Sequence, residues 1–261
     1  MSEDNGKKVT KKKANGDTFT YTVQGKLKEN CPFVDINIHI YNYVLQMNGT
    51  KTLKKRKKYY DAEGNVYYDR FYCFLSNIPR WIRGEILIHG EEIVEIDAQA
   101  LHSKIVGKLY GDYANVSTPE FLTGDSHTKV AELLDVTRLE SKLIALSYWN
   151  SRIVNGATIS SKRNSELFAK MDKFIQTDYP MLFEYLSLVK SSKPIKTGKS
   201  SNTNMSVLLV DKEVRIMQDF LSEYGGFSVI YVYDCVYVKK SVHEFARRGF
   251  ETTINKHLRS N

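Results

Sequence analysis

Asp97 and Asp234 are the residues whose surroundings best suit chemistry. Asp97 closes an alternation from Ile93 in which Glu95 and Asp97 point to one face and Val94 and Ile96 to the other, the period of a strand. From Leu101 the period changes. Leu101, Ile105, Val106 and Leu109 repeat at helical spacing, so Asp97 stands at the carboxyl end of a strand where the chain turns into a helix. A carboxylate there, beside exposed backbone, is well placed to hold a divalent cation. An aspartate between strand and helix is also a common helix cap, so position alone does not choose between the two. Asp234 follows the apolar strand Phe227 to Val232, which resumes at Cys235, and reads as a turn residue. The third chemical feature is a helix from Arg138 to about Asn150. Arg138, Lys142, Ala145 and Trp149 fall on one stripe, and Leu139, Leu143 and Leu146 on an adjoining stripe expected to be buried.

The elements that must position these residues follow in order. Residues 1 to 17 carry Lys7, Lys8, Lys11, Lys12 and Lys13 with little that is apolar, which predicts a flexible basic arm, either solubilising or nucleic-acid tethering. Residues 18 to 89 read as a basic hairpin and a lead-in. Thr18 to Val23 alternates as a strand, while the stretch from Phe33 to Met47 fits strand or helix. Lys51, Lys54, Lys55, Arg56, Lys57 and Lys58 precede Tyr59 and Tyr60, the turn Asp61 to Asn65, and a returning strand from Val66 to Leu75. Such a hairpin suits a phosphate backbone with bases stacked on its tyrosines, or simply a lysine-protected sheet edge. Beyond Tyr110 come loop and short helices, then the helix from Arg138. Two helices broken near Pro180 span Ser165 to Val189, a mobile basic loop spans Lys190 to Thr203, and a helix runs from Asn204 to Glu223. A last amphipathic helix covers about Val242 to His257.

Composition narrows the class. Among 261 residues, 38 Lys and Arg against 30 Asp and Glu leave a net charge of +8, which favours polyanionic partners. Three scattered cysteines, Cys31, Cys73 and Cys235, offer neither a disulfide framework nor zinc-ligand spacing, which fits a reducing, cytoplasmic setting. No leader-like or membrane-spanning run is evident, so no membrane partner is expected.

Four pieces in order resemble the palm and fingers of family A DNA polymerases and of the related single-subunit phage-type RNA polymerases. Asp69-Arg70 with Asn77-Ile78-Pro79-Arg80 is similar to the Gly-Arg-Leu-Ser and Asn-Ile-Pro-x-Arg run before motif A, and Arg70-Phe71-Tyr72 to the Gly-Arg-x-Tyr of the RNA enzymes. Asp97-Ala98-Gln99-Ala100-Leu101-His102 sits like motif A, and Arg138 and Lys142 have the motif B spacing. Asn204 and Glu213 keep the spacing of an asparagine and an acidic residue before motif C, which Tyr231 to Tyr237 resembles around Asp234. The likeness spans about Asp69 to Val238. It departs at His102, where the DNA enzymes carry a glutamate that helps exclude ribose. It departs again at Leu146, at Asn150-Ser151 and at Cys235, so sugar choice does not transfer.

The resemblance implies an α+β fold. A polymerase-like palm, an antiparallel sheet with packed helices over residues 90 to 261, would carry a small helical fingers insertion at about 111 to 203. Two Mg2+ or Mn2+ ions would lie on Asp97, Asp234 and the carbonyl of Ala98, since hard cations take oxygen ligands and paired ions stabilise the attacking and leaving oxygens of phosphoryl transfer. Lys142 would hold the triphosphate and protonate the departing pyrophosphate, Arg138 would meet the outer phosphates, and His102 would approach the sugar. Arg70, Arg80, Asn204, Lys54, Lys55, Arg56 and Lys57 would contact nucleic acid, while Glu213 and Glu95 are expected to pair with Arg215 or a lysine. The expected activity is template-directed extension of a 3′ hydroxyl from nucleoside triphosphates, DNA synthesis first and an RNA polymerase or primase next. A non-catalytic nucleic-acid-binding module and a template-independent nucleotidyltransferase are the other readings. An accessory protein supplying a thumb or clamp and a viral or plasmid origin accord with the small size.

Overall fold

The computed structural model describes residues 7–12, 18–23, 58–61, 63–70, 83–84, 87–88, 90–159, 164–192, 204–225 and 230–259. Lys54, Lys55, Arg56, Lys57, Arg80 and the stretch from Phe33 to Met47 lie outside them. The chain divides into two compact units, residues 1–51 and 52–261. In the first, β1 (Lys7–Lys12) pairs antiparallel with β2 (Thr18–Val23), Lys7 opposite Val23 and Lys12 opposite Thr18. The expectation of a flexible arm is therefore corrected over Lys7–Lys12. Lysine is tolerated on a two-stranded edge, and Val9-Thr10 brings the β preference that its charges obscure.

The second unit is α+β. Its described residues hold two small hairpins, a four-stranded antiparallel sheet and seven α-helices. One hairpin, β3 (Lys58–Tyr60) with β4 (Val66–Tyr68), turns where Asp61 accepts hydrogen bonds from the backbone of Glu63 and Asn65. The sheet has the order β5 (Leu87–Ile88), β6 (Glu91–Asp97), β10 (Cys235–Lys239) and β9 (Ile230–Val232). It is two hairpins joined along β6 and β10, so residues far apart in sequence meet at its centre.

After β6 come α1 (Leu101–Ala114), α2 (Ser126–Leu134) and α3 (Arg138–Asn150). A short hairpin, β7 (Ile153–Val154) with β8 (Ala157–Thr158), then leads to α4 (Ser165–Asp178) and α5 (Pro180–Ser191). Pro180 at the start of α5 explains the break, because proline lacks the amide that a helix interior needs. The chain ends with α6 (Asn204–Tyr224) before the β9–β10 hairpin and α7 (His243–Leu258) after it.

One face of the sheet is closed by helices. Ile96, Val236 and Val238 join Leu101 and Ile105 of α1, Phe220 of α6 and Phe250 of α7 in the main core. The close approach of α1 to the segment after it requires Gly107, whose Cβ would lie 2.3 Å from Thr118 Cγ2. The opposite face carries Ile93, Cys235 and Tyr237 in a small cluster with Val232, and it also bears Glu95 and Asp97. Among the described residues no helix is long and apolar enough to cross a membrane.

Three expectations change on this frame. Leu139, Leu143 and Leu146 are exposed rather than buried, and α3 buries Ser141, Ile144, Ala145, Tyr148 and Trp149 instead. The helical period identified the stripes, but it carried no information on which one faces the core. Lys190 belongs to α5 and is buried, its Nζ donating to the Tyr148 carbonyl at 2.9 Å over the Tyr148 ring. Tyr59 is also buried, packed with Tyr67 against Val207 of α6, so of the tyrosine pair only Tyr60 is available for stacking.

Candidate functional site

The central strands β6 and β10 bring the two aspartates together. Asp97 is the register partner of Cys235, the residue after Asp234, and the Ala98 amide donates to the Asp234 carbonyl at 3.0 Å. The helix following Asp97 is capped by Ala100 in the left-handed region, φ 53° and ψ 34°, with no side-chain capping hydrogen bond. Asp97 is therefore not the cap of α1, which removes the ordinary structural explanation for an aspartate at this turn. Its side chain is exposed at the sheet end.

Asp234 sits in a two-residue turn between Val232 and Cys235. Its neighbour Tyr233 has φ 58°, a region where glycine is usual and a tyrosine is strained. The Arg70 guanidinium lies over the Tyr233 ring, 5.0 Å from its centre, and helps hold that turn. Burial pushes the Asp234 carboxyl above the ordinary aspartate range. The negative charges of Glu213 and Asp97 push it further, against the opposing pull of Arg70.

Behind the turn, Glu213 of α6 is wholly buried. Burial alone would raise its carboxyl, but hydrogen bonds from His102 and Arg70 and their charges hold it below the ordinary range. Arg70 Nε donates to Glu213 Oε1 at 2.7 Å, while His102 Nε2 lies 2.9 Å from Oε2. The expectation that Glu213 pairs with Arg215 or a lysine is corrected here: Arg215 bonds Asp211 one turn earlier on the same helix, and Glu213 takes Arg70 and His102 instead. Glu95 accepts from the Tyr237 hydroxyl.

Neither the Asp97 nor the Asp234 carboxylate makes an ion pair or a hydrogen bond to another residue among the described residues. Nor do those residues include a cluster of three or more metal-ligating side chains, because Glu213 is taken by Arg70 and His102. The arrangement fits a magnesium-type site, which needs only one or two protein carboxylates and completes its shell with phosphate and water. A divalent cation there would relieve the mutual repulsion that raises Asp234. The Ala98 carbonyl accepts the Leu101 amide at 3.2 Å, leaving one lone pair for such an ion.

The cationic helix lies on the same side. Thr137 and Glu140 form a capping box that starts α3 at Arg138. The Trp149 indole donates to Ser103 of α1 at 3.1 Å, and the Ser141 hydroxyl donates to the His127 carbonyl of α2 at 2.6 Å, which fixes α3 between those helices. The Asp125 hydrogen bond and charge are the main influences that raise the basicity of Arg138, with a smaller pull from Asp97, which also opposes the lowering of His127 by burial and by Lys142. Lys142 is exposed and makes no hydrogen bond or ion pair among the described residues, whereas Arg138 is joined to Asp125 at 2.8 and 3.1 Å.

Three further residues belong to this region and escaped the sequence reading. His127 is 8% exposed with its Nδ1 unpartnered, and burial together with the Lys142 charge lowers its basicity. Lys104 is half-buried beside the charge of Asp125, with its basicity lowered by burial, and Asp125 itself is pulled down to about 2 chiefly by its hydrogen bond from Arg138. The sequence reads over this stretch only as loop and short helices, and nothing in it marks a histidine near a lysine one helix away. Asn204, by contrast, opens α6 as a buried residue whose amide donates to the Ser192 hydroxyl at 2.7 Å. Neither a protein-family model nor a curated protein matches this chain.

Proposed function

We propose that the chain is a compact template-directed nucleotidyltransferase that extends a 3′ hydroxyl with nucleoside triphosphates. The observation that carries this reading is the meeting of Asp97 and Asp234 at the end of the central strands, where neither carboxylate is engaged by another side chain among the described residues. Its sheet and helices would serve as palm and its α2–α3 region as fingers. Two bound Mg2+ or Mn2+ ions would activate the attacking hydroxyl and stabilise the leaving oxygen.

The protein's own residues have separable tasks in this reading. Asp97 and Asp234 supply the anionic oxygens that hold the cations. Lys142 meets the triphosphate and can deliver a proton to the departing pyrophosphate, and Arg138 grips the outer phosphates with its fork of donors. His127 adds a donor beside Lys142. Burial and neighbouring cations keep its imidazole inclined to neutrality until an anion arrives. Glu213, Arg70 and His102 act through position, bracing the strained Tyr233-Asp234 turn. His102 is held by Glu213, so sugar choice between dNTP and NTP rests on shape around that pair rather than on a free carboxylate.

The test is incorporation of labelled dNTPs and, in parallel, NTPs on a primed template with Mg2+ or Mn2+. Incorporation is expected with wild type and a loss of at least about 100-fold with Asp97→Asn or Asp234→Asn. No incorporation by wild type, or undiminished incorporation by both variants, would reject the reading and leave a nucleic-acid-binding module. Product formed from NTPs without template would mark a template-independent enzyme.

A further inference from the structure

Arg138 is not free to receive a phosphate in this structure. Its Nε and one terminal nitrogen both meet the carboxylate of Asp125, at 2.8 and 3.1 Å, which is the two-pronged geometry that a phosphate would need. Asp125 is in turn fixed at the start of α2, where the Thr128 hydroxyl donates to it at 2.9 Å and the Thr128 amide bonds its carbonyl at 3.2 Å.

We infer that Asp125 is a latch on the triphosphate site: it holds Arg138 until an anion draws that side chain away. This inference rests on the triphosphate reading of Arg138 and Lys142. Opening the latch trades the Asp125–Arg138 pair for an Arg138–phosphate pair and returns the part-exposed Asp125 carboxylate to water. The trade is driven further by the higher charge of a triphosphate than by that of a monophosphate. The latch therefore selects for triphosphate over mononucleotide.

Calorimetric titration of the full chain with inorganic tripolyphosphate tests this. Asp125→Asn keeps a side-chain oxygen that can accept from the Thr128 hydroxyl while removing the charge that holds Arg138. It is expected to bind tripolyphosphate about five- to twentyfold tighter than wild type, and to gain more for inorganic monophosphate, which narrows the discrimination between the two. In an Arg138→Ala background the same change should give less than a twofold gain, since no arginine remains to release. A gain from Asp125→Asn that persists without Arg138 would show a general field effect and overturn the latch, as would no gain at all. If Arg138→Ala and Lys142→Ala both bind tripolyphosphate like wild type, the triphosphate reading itself falls, a result distinct from failure of the latch alone.

Discussion

Asp234 is the residue whose setting departs most plainly from structural need. A carboxylate kept partly buried near Glu213 and Asp97, with no side-chain partner among the described residues, destabilises the fold that contains it. Replacing it by asparagine keeps the shape and removes the repulsion. Asp234→Asn is therefore expected to raise the melting temperature of the metal-free protein at neutral pH by about 2 to 4 °C, the equivalent of about 1 kcal/mol in a chain of this size. Added Mg2+ should narrow that gap, because the cation stabilises only the protein that retains the aspartate. A variant that melts below wild type in chelator would show that Asp234 supports the turn rather than a cation. The sequence showed the type and the turn position of this residue. It did not show Glu213 beneath it, because that contact depends on the rotation of α6, which helical periodicity leaves open. Glu213 was accordingly paired with the wrong partner, Arg215, which stands on the same helix and bonds Asp211.

Among the elements, α3 decides whether the site is assembled. Its ends are tied at Thr137 by the capping box and at Trp149 by Ser103, and its last turns rest on a buried network in which Tyr148 donates to Asp172 and Lys190 donates to the Tyr148 carbonyl. Burial lowers the Lys190 ammonium to about 7, with Asp172 pulling the other way. An unfolded lysine titrates near 10.4. Between about pH 7 and 10 the unfolded chain binds a proton that the folded chain has released, so stability rises with pH across that window, and the cost of the charge is fully present below it. The Tyr148 carbonyl and ring favour the charged form and soften the effect. A slope of about 1 kcal/mol per pH unit is expected in urea unfolding, below the limit of about 1.4. Lys190→Met should flatten it, and an unchanged slope would assign the pH dependence elsewhere. The bounds of α3 were legible from its period, as were the break at Pro180 and the long helix before the last hairpin. The exposure of Leu139, Leu143 and Leu146 was not, because a helix with two apolar stripes does not declare which one a neighbour covers.

For the whole molecule, the net charge of +8 and the lysine-rich segment from Lys51 to Lys58 point to a polyanion. Binding to a primed duplex should weaken steeply with salt. Replacing Lys54, Lys55, Arg56 and Lys57 by glutamine should reduce the slope of log K against log salt by up to about 0.9 for each phosphate that the segment no longer neutralises. An unchanged slope would make that segment a solvated edge. The α+β class and the meeting of strand end with hairpin turn follow from the resemblance, since local period and turn residues give the strand and the turn but not their long-range pairing. The strand pairing of Lys7–Lys12 could not, because charge there masks β preference. The central claim, that two distant aspartates hold divalent cations together, is tested most directly by Mn2+ binding followed by electron paramagnetic resonance in the presence of tripolyphosphate. Saturable binding by wild type, weakened at least about tenfold by Asp97→Asn and equally by Asp234→Asn, is the predicted result. Binding by both variants that matches wild type would contradict it.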